Sequence, residues 1–358
     1  MRFDPKYIVQ LFLLALLWSC NKQQESGTDV QHYFFLRNAG ADLPVTVQGN
    51  TMSKVLLLFL HGGPAQGGLY MSYEKGAYDD LRSKYGLVFY DQRGLGIANG
   101  TYDKEKLSLV QSVDDLRKLI QLLKYKYGEE NRIFLIGKSW GGLLGTAFLL
   151  GDDNQAMVHG WIEIAGGHNY PLIQKEIVKM IFTIGQREVF LNRNTEEWRR
   201  LIQEVQGYDT TSVDFYRNLP MISLGWKAMG LMDFCNSYPN SPEDGEVLSQ
   251  LFFSRMNLLT AFSNDFINLS GYYTTQNSMI DAYASSPYLY KITVPSRFFW
   301  GEYDFVSPPA LAEDAYRHTG TPEKDKKKVI FPCGKHDLMA SNRDEVVREI
   351  VSFVEKYR

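Results

Sequence analysis

Phe134-Leu135-Ile136-Gly137-Lys138-Ser139-Trp140-Gly141-Gly142-Leu143-Leu144-Gly145-Thr146-Ala147 joins an apolar run to a small, helix-compatible run through one serine set between glycines. The pattern is G-x-S-x-G in a strand–turn–helix setting, the context that gives it meaning. A serine at so cramped a turn needs small neighbours, and its hydroxyl is pushed out beyond the end of the sheet. The backbone N–H of Trp140 then lies at the start of a helix, where partial positive charge gathers. Taken alone, the stretch fits an ordinary tight turn with a buried serine better than it fits a nucleophile, so its reading depends on what ends the other strands.

Working outward, Val55-Leu56-Leu57-Leu58-Phe59-Leu60 is apolar throughout, as suits a strand buried on both faces of a parallel sheet. It ends in His61-Gly62-Gly63-Pro64-Ala65-Gln66-Gly67-Gly68, glycine-rich and able to aim bare N–H groups at a ligand. A helix-compatible stretch over 73–85 leads to the strand 86–90, which closes in Asp91-Gln92-Arg93-Gly94-Leu95-Gly96; Asp91 and Arg93 are available to pair and fix that loop, and read as structural rather than catalytic. Residues 112–127 read as a helix, with Ser112 as N-cap, Asp114 and Asp115 in the first turn, and Gly128 as the stop. Strands follow at 131–136 and 158–166. Upstream, 33–36 and 43–47 form a hairpin at a sheet edge, where Pro44 is tolerated.

The alternation breaks from about residue 169 to 286, where aromatic, amphipathic, helix-like segments at 172–184, 196–205, 245–256 and 257–269 replace clean strands. It resumes with a strand at 294–300, a helix at 309–318, a strand at 328–331 and a closing helix at 342–357. Strands alternating with helices imply a parallel sheet with right-handed crossovers. The fold class is therefore α/β, a mostly parallel sheet with helices on both faces and an inserted helical cap. The organisation expected is core at 31–168 and 287–358 with the cap at 169–286.

With 358 residues, 44% of them hydrophobic, the chain is long enough for a large core. A net charge of −3 excludes the basic surface a nucleic-acid binder needs, and the run Lys324-Asp325-Lys326-Lys327-Lys328 reads as a solvated turn. Arg2 and Lys6, the apolar run 8–18 and then Ser19-Cys20 describe a secretory signal over 1–19 of lipoprotein type, too short to span a membrane. Cys20 would carry the lipid and 20–30 would be a tether, so the chain is expected outside the cytoplasm, held to a membrane by its anchor. Cys235 and Cys333 are then the remaining thiols, expected free and buried, although export would permit a bridge.

Three polar residues stand at the C-terminal ends of successive expected strands: Ser139, Asp304 after the strand ending at Trp300, and His336 after Phe331. Ser, acid, His is a working set in a known order. Serine needs a base to become a nucleophile, a histidine takes its proton and returns it to the leaving group, and a carboxylate fixes the imidazole tautomer. His61 lies in the glycine loop, which suits positioning better than proton transfer.

With these residues in hand, the sequence resembles the α/β-hydrolases and, within them, the prolyl aminopeptidase (proline iminopeptidase) group. The matching pieces are His61-Gly62-Gly63-Pro64, Asp91-Gln92-Arg93-Gly94-x-Gly96, Gly137-x-Ser139-Trp140-Gly141-Gly142, Gly301-x-x-Asp304 and Gly334-x-His336. The resemblance implies a serine nucleophile, an oxyanion hole from the N–H groups of Gly63 and Trp140, no metal and no organic cofactor. Ala65 and Lys138 depart from the group's pattern of glycines, and Lys138 faces either the pocket or the back of the turn. An aminopeptidase also needs carboxylates for a free α-ammonium group. The cap offers Glu176, Glu188, Glu196, Glu197, Glu204, Asp214, Asp233, Asp265 and Asp281, with none singled out. Tyr170, Phe182, Phe190, Trp226, Phe234 and Tyr272 are available to line an apolar slot, though packing within the cap is the expectation for each. The function expected is an exported serine hydrolase releasing N-terminal proline or other residues from small peptides through an acyl-enzyme. The alternative is a carboxylesterase acting on small acyl esters with the same triad. A non-catalytic binding protein is disfavoured by the intact triad.

Overall fold

The computed structural model describes residues 27–63, 67–210, 220–235, 261, 264 and 283–358. The signal segment, Cys20, most of the tether, Pro64, Ala65, Asp214, Asp265, Tyr272 and Asp281 lie outside the described residues, as do the expected helix 245–256 and nearly all of 257–269. The described strands are β1 (Val30–Asn38), β2 (Ala41–Gly49), β3 (Val55–Leu60), β4 (Gly86–Tyr90), β5 (Asn99–Gly100), β6 (Arg132–Lys138), β7 (Gly160–Ile164), β8 (Ser296–Gly301) and β9 (Lys326–Phe331). The described helices are α1 (Ala77–Arg82), α2 (Leu109–Tyr127), α3 (Trp140–Leu150), α4 (Tyr170–Phe190), α5 (Thr195–Gln206), α6 (Pro220–Gly230), α7 (Ala310–His318), α8 (Leu338–Ser341) and α9 (Arg343–Tyr357).

One mixed sheet runs in the order β1-β2-β4-β3-β6-β7-β8-β9, with β5 beside β2. From β4 to β9 the neighbours along that order are parallel, and the β1–β2 hairpin joins β4 antiparallel. Every residue of β3, β4, β7 and β8 is buried, which explains the unbroken apolar sequences of β3 and β4; in β7 and β8 the buried Glu163, Ser296 and Arg297 interrupt the run. Two apolar layers flank the sheet. One gathers Leu116, Leu144, Trp161 and Trp300 with the inserted helices; the other packs Phe134, Phe299 and Phe353 under α1 and α9. The sheet order turns at β3, which lies between β4 and β6, and a ligand site belongs at the carboxyl ends of the strands around such a point. This is the expected α/β-hydrolase sheet.

The structure corrects several local expectations. Pro44 is not on an edge strand: β2 pairs β1 on one side, and on the other it meets β4 from Val45 and β5 up to Asp42. Pro44 falls between those two partners, where no N–H is required, and its carbonyl accepts from the Asp91 N–H at 3.1 Å. The N-cap of α2 is Ser108, whose hydroxyl accepts from Gln111 N–H, so the helix starts a turn before Ser112. Lys326, Lys327 and Lys328 belong to β9, the sheet's last strand, where lysines discourage edge pairing. Within the expected tether, Gly27 already exchanges hydrogen bonds with Thr51, and Val30 opens β1. Finally, Cys235 and Cys333 are joined in a disulfide, with Cα atoms 5.2 Å apart, instead of standing free.

Candidate active site

Ser139 sits between β6 and α3 at φ 53°, ψ −117°, a left-handed conformation that costs a non-glycine residue about 1–3 kcal/mol. The surroundings hold it there. Its N–H donates to the Ile164 carbonyl at 3.0 Å, and its carbonyl accepts from Gly142 at 2.9 Å and Gly167 at 3.1 Å, so the end of β7 pins the turn. A Cβ on Gly141 would run into the Leu60 carbonyl, which is why the first turn of α3 can press against β3 only with glycine there. The Ser139 side chain does not cap α3.

Asp304, after β8, is fully buried. Its Oδ1 accepts from the N–H groups of Val306 at 2.9 Å and Ser307 at 2.8 Å, leaving Oδ2 for His336 Nδ1 at 2.9 Å. That contact places the Nδ1 proton toward the carboxylate and turns Nε2 outward. Ser139, His336, Gly63 and Trp140 line one pocket, so the structure brings together every described residue predicted for the site. Among the described residues no hydrogen bond joins Ser139 Oγ to His336, and such bonds commonly tighten only on substrate.

The strand-end loops are locked from behind. His61 is fully buried, and burial pulls it down to about 4, so it is neutral. Its Nδ1 lies 2.7 Å from the Gly62 carbonyl and its Nε2 accepts from Gln92 N–H at 3.3 Å, which fixes the Nδ1–H tautomer. In a planar trans peptide the Gly63 N–H points opposite the Gly62 carbonyl, hence away from His61. Gln92 in turn accepts from the Trp140 indole at 3.0 Å. Asp91 and Arg93 each have a separate anchor. Asp91 accepts N–H bonds from Gly68, Leu69 and Ile97, while Arg93 forms a buried two-point ion pair with Asp115 at 2.7 and 3.0 Å.

Lys138 faces the back of the turn. Its ammonium pairs with Asp337 at 2.7 Å, and it takes no part in lining the pocket. The described pocket wall is apolar and aromatic, with Tyr170, Ile173, Ile222 and Tyr283 opposite the polar groups and no carboxylate. Tyr170 thus lines the pocket instead of packing only within the cap, while Phe190 is 84% exposed. Trp226 sets its ring edge-to-face on His336, centroids 5.6 Å apart. The described carboxylates lie elsewhere: Glu188 between Arg187 and Arg193, Glu176 on Lys179, Glu196 on Arg200, and Glu197, Glu204 and Asp233 exposed.

One cluster is not foreshadowed in the sequence. His168 is buried between Glu163 at 2.8 Å and Asp314 at 3.1 Å. Burial opposes its charge, but the two carboxylates outweigh that and push it up to about 9. The cluster stands where the chain leaves β7 and returns from the insertion, since Ser285 N–H bonds to the His168 carbonyl and Ser286 to Asp314. No motif marks it: Glu163 and His168 lie five residues apart, but Asp314, 146 residues on, is brought to them only by the fold.

A family model described as serine aminopeptidase, S33, matches residues 52–237, a span that takes in Ser139 and ends before Asp304. The proline iminopeptidase of Saccharolobus solfataricus is 25% identical over 315 residues, 84% of each chain. That of Thermoplasma volcanium is 24% identical over 314 residues, covering 85% of this chain and 90% of its own. A proline iminopeptidase-related protein from Thermus thermophilus superposes with a TM-score of 0.56 at 19% identity, covering 92% of this chain and 98% of that one. An esterase from Exiguobacterium antarcticum gives 0.56 at 19%, covering 90% and 100%. At such identities the structural likeness speaks for the fold alone.

Proposed function

The chain belongs to the serine aminopeptidase S33 family, and from that premise we propose that it is a serine hydrolase releasing N-terminal residues, proline first, from small peptides. The observation that carries the chemistry is the Asp304–His336 pair, 2.9 Å long and buried, opening onto the same pocket as Ser139. In this reading His336 Nε2 takes the Ser139 proton as Oγ attacks the scissile carbonyl. The N–H groups of Gly63 and Trp140 meet the oxyanion, and the amine or alcohol leaves with the proton from His336. The acyl-enzyme is then hydrolysed by water through the same base. The proline iminopeptidase relatives support the choice of substrate.

A second reading, a carboxylesterase for small apolar acyl groups, is favoured by one observation: the described pocket wall presents no carboxylate to an ammonium group. Asp214, Asp265 and Asp281, outside the described residues, are the candidates that would answer it. The test is turnover of proline arylamide against short aryl esters, by wild type and by Ser139→Ala, with fluorophosphonate labelling of Ser139. Arylamide turnover lost in Ser139→Ala supports the peptidase. Ester turnover alone selects the esterase, and a folded wild type that neither turns over nor labels overturns both.

Export with a lipid on Cys20 belongs to the same proposal, supported by the signal-like N-terminus and by the Cys235–Cys333 bridge, which suits an oxidising compartment. Palmitate incorporation lost in Cys20→Ala is the expected result; equal labelling of both chains would refute it.

A further inference from the structure

The residue before the candidate nucleophile and the residue after the candidate base are bonded to each other. Lys138 Nζ meets Asp337 Oδ2 at 2.7 Å, a bridge from the end of β6 to the loop between β9 and α8. The Lys138 side chain is 18% exposed and that of Asp337 55%, so the ammonium is shielded while solvent still reaches the carboxylate and screens the pair in part. Burial works against the ammonium, and Asp337, with Tyr70 and Glu74 behind it, more than offsets that, leaving Lys138 charged well above its ordinary range. Asp337 also feels His336 directly. We propose that Lys138 and Asp337 are a positioning pair: they hold the Ser139 turn against the His336 loop, and each cancels the charge the other would impose on the base. The proposal rests on the serine-hydrolase reading above.

Two consequences separate this role from simple structural support. First, the pair sets a distance. Ser139 and His336 sit on different elements, and Oγ must come within hydrogen-bond reach of Nε2 for proton transfer. The Lys138–Asp337 contact is a direct tie between their two neighbours, so breaking it lengthens the step that has least tolerance. Second, the pair sets a field. Among the described residues the charged groups around His336 are Asp304 after β8, Asp337 and Lys335 in its own loop, Lys138 from β6, and Asp233 near Lys335; Glu74 acts on Lys138, Tyr70 on both Lys138 and Asp337, and Trp226 is neutral. Removing Lys138 leaves an uncompensated Asp337 carboxylate beside the imidazole, which favours imidazolium. Removing Asp337 leaves an uncompensated ammonium, which disfavours it.

The experiment is the pH profile of kcat/KM on an aryl ester for the full chain and for Lys138→Met, Asp337→Asn, Lys138→Arg and the double variant Lys138→Met/Asp337→Leu. Fluorophosphonate labelling and circular dichroism accompany each. Both single neutral variants are expected to lose about tenfold in kcat, with KM little changed. Their acid limbs move in opposite directions, up by about 0.5–1 pH unit for Lys138→Met and down by a similar amount for Asp337→Asn. The double variant returns the limb to its wild-type place without recovering kcat, and Lys138→Arg, which keeps the ion pair, recovers most of the rate. Folded single variants whose limbs stay put, or move the same way, overturn the pair's role while leaving the hydrolase reading standing. A folded wild type that neither labels nor turns over overturns both together. Should Lys138→Met fail to fold, Asp337→Asn and the double variant still decide the sign.

Discussion

His61 shows how a residue away from the chemistry can be read from two hydrogen bonds. Buried and held neutral, with its value pulled down to about 4, it donates to the Gly62 carbonyl and accepts from Gln92 N–H. Both bonds demand the same tautomer, and the bond to the Gly62 carbonyl leaves the Gly63 N–H turned away from His61, as the proposed oxyanion hole requires. His61→Ala is therefore expected to lower kcat by about 10²-fold, the scale of losing one oxyanion donor, with KM nearly unchanged. Steady-state kinetics on an aryl ester check it, and a rise in KM at constant kcat would show that His61 shapes binding instead. Ser139, Asp304 and His336 are legible in the sequence because each ends an apolar strand run beside a glycine. Asp337 for Lys138, Asp115 for Arg93 and Asp314 for His168 are not, because each of these pairings crosses between elements apart in the chain and leaves no local pattern.

At the scale of elements, β3 and β4 match their expected bounds because both faces of each are buried, and burial writes a continuous apolar run. By contrast α6 has no such signature: Pro220, Gly225 and Gly230 look like loop residues in isolation. Gly225 has a tertiary reason, since a Cβ there would strike the Phe305 carbonyl, next to Asp304. The same helix lays Trp226 on His336, and the chain just after it is bonded through Cys235 to Cys333, three residues before His336. One inserted segment thus touches the loops of both Asp304 and His336. Reduction by a dithiol, or Cys235→Ser, is expected to lower kcat/KM by about three- to tenfold while the sheet survives. Closing a loop across 98 residues implies that the bridge is worth about 2–5 kcal/mol. Activity and urea midpoints before and after reduction test this, and a reduced enzyme with full activity and unchanged midpoint would show the tether to be idle.

For the whole molecule, the question is what joins the sheet to the insertion, and the His168 cluster stands at that junction. Glu163 comes from β7 and Asp314 from α7, while Asn169, next to His168, caps α4. The return segment is tied to the same place, with Tyr170 N–H on the Tyr283 carbonyl and Ser285 N–H on that of His168. A neutral His168 would leave the buried Glu163 and the partly buried Asp314 facing each other with no charge between them, Asp314 keeping only the exposed His318 on its other oxygen, so the proton is part of the structure. Its value is raised to about 9 in the fold against 6.5 in the unfolded chain, so the folded state binds this proton more tightly. The stability it contributes is fully present below pH 6.5 and is lost as pH climbs through about 9. The size is on the order of 3 kcal/mol. Urea midpoints of wild type and His168→Asn measured from pH 6 to pH 10 isolate it, because other titrations are common to both chains. The wild-type advantage is expected to shrink steadily above neutrality and to vanish near pH 10. Parallel curves across that range would mean that His168 is held neutral and that the junction relies on its backbone bonds alone.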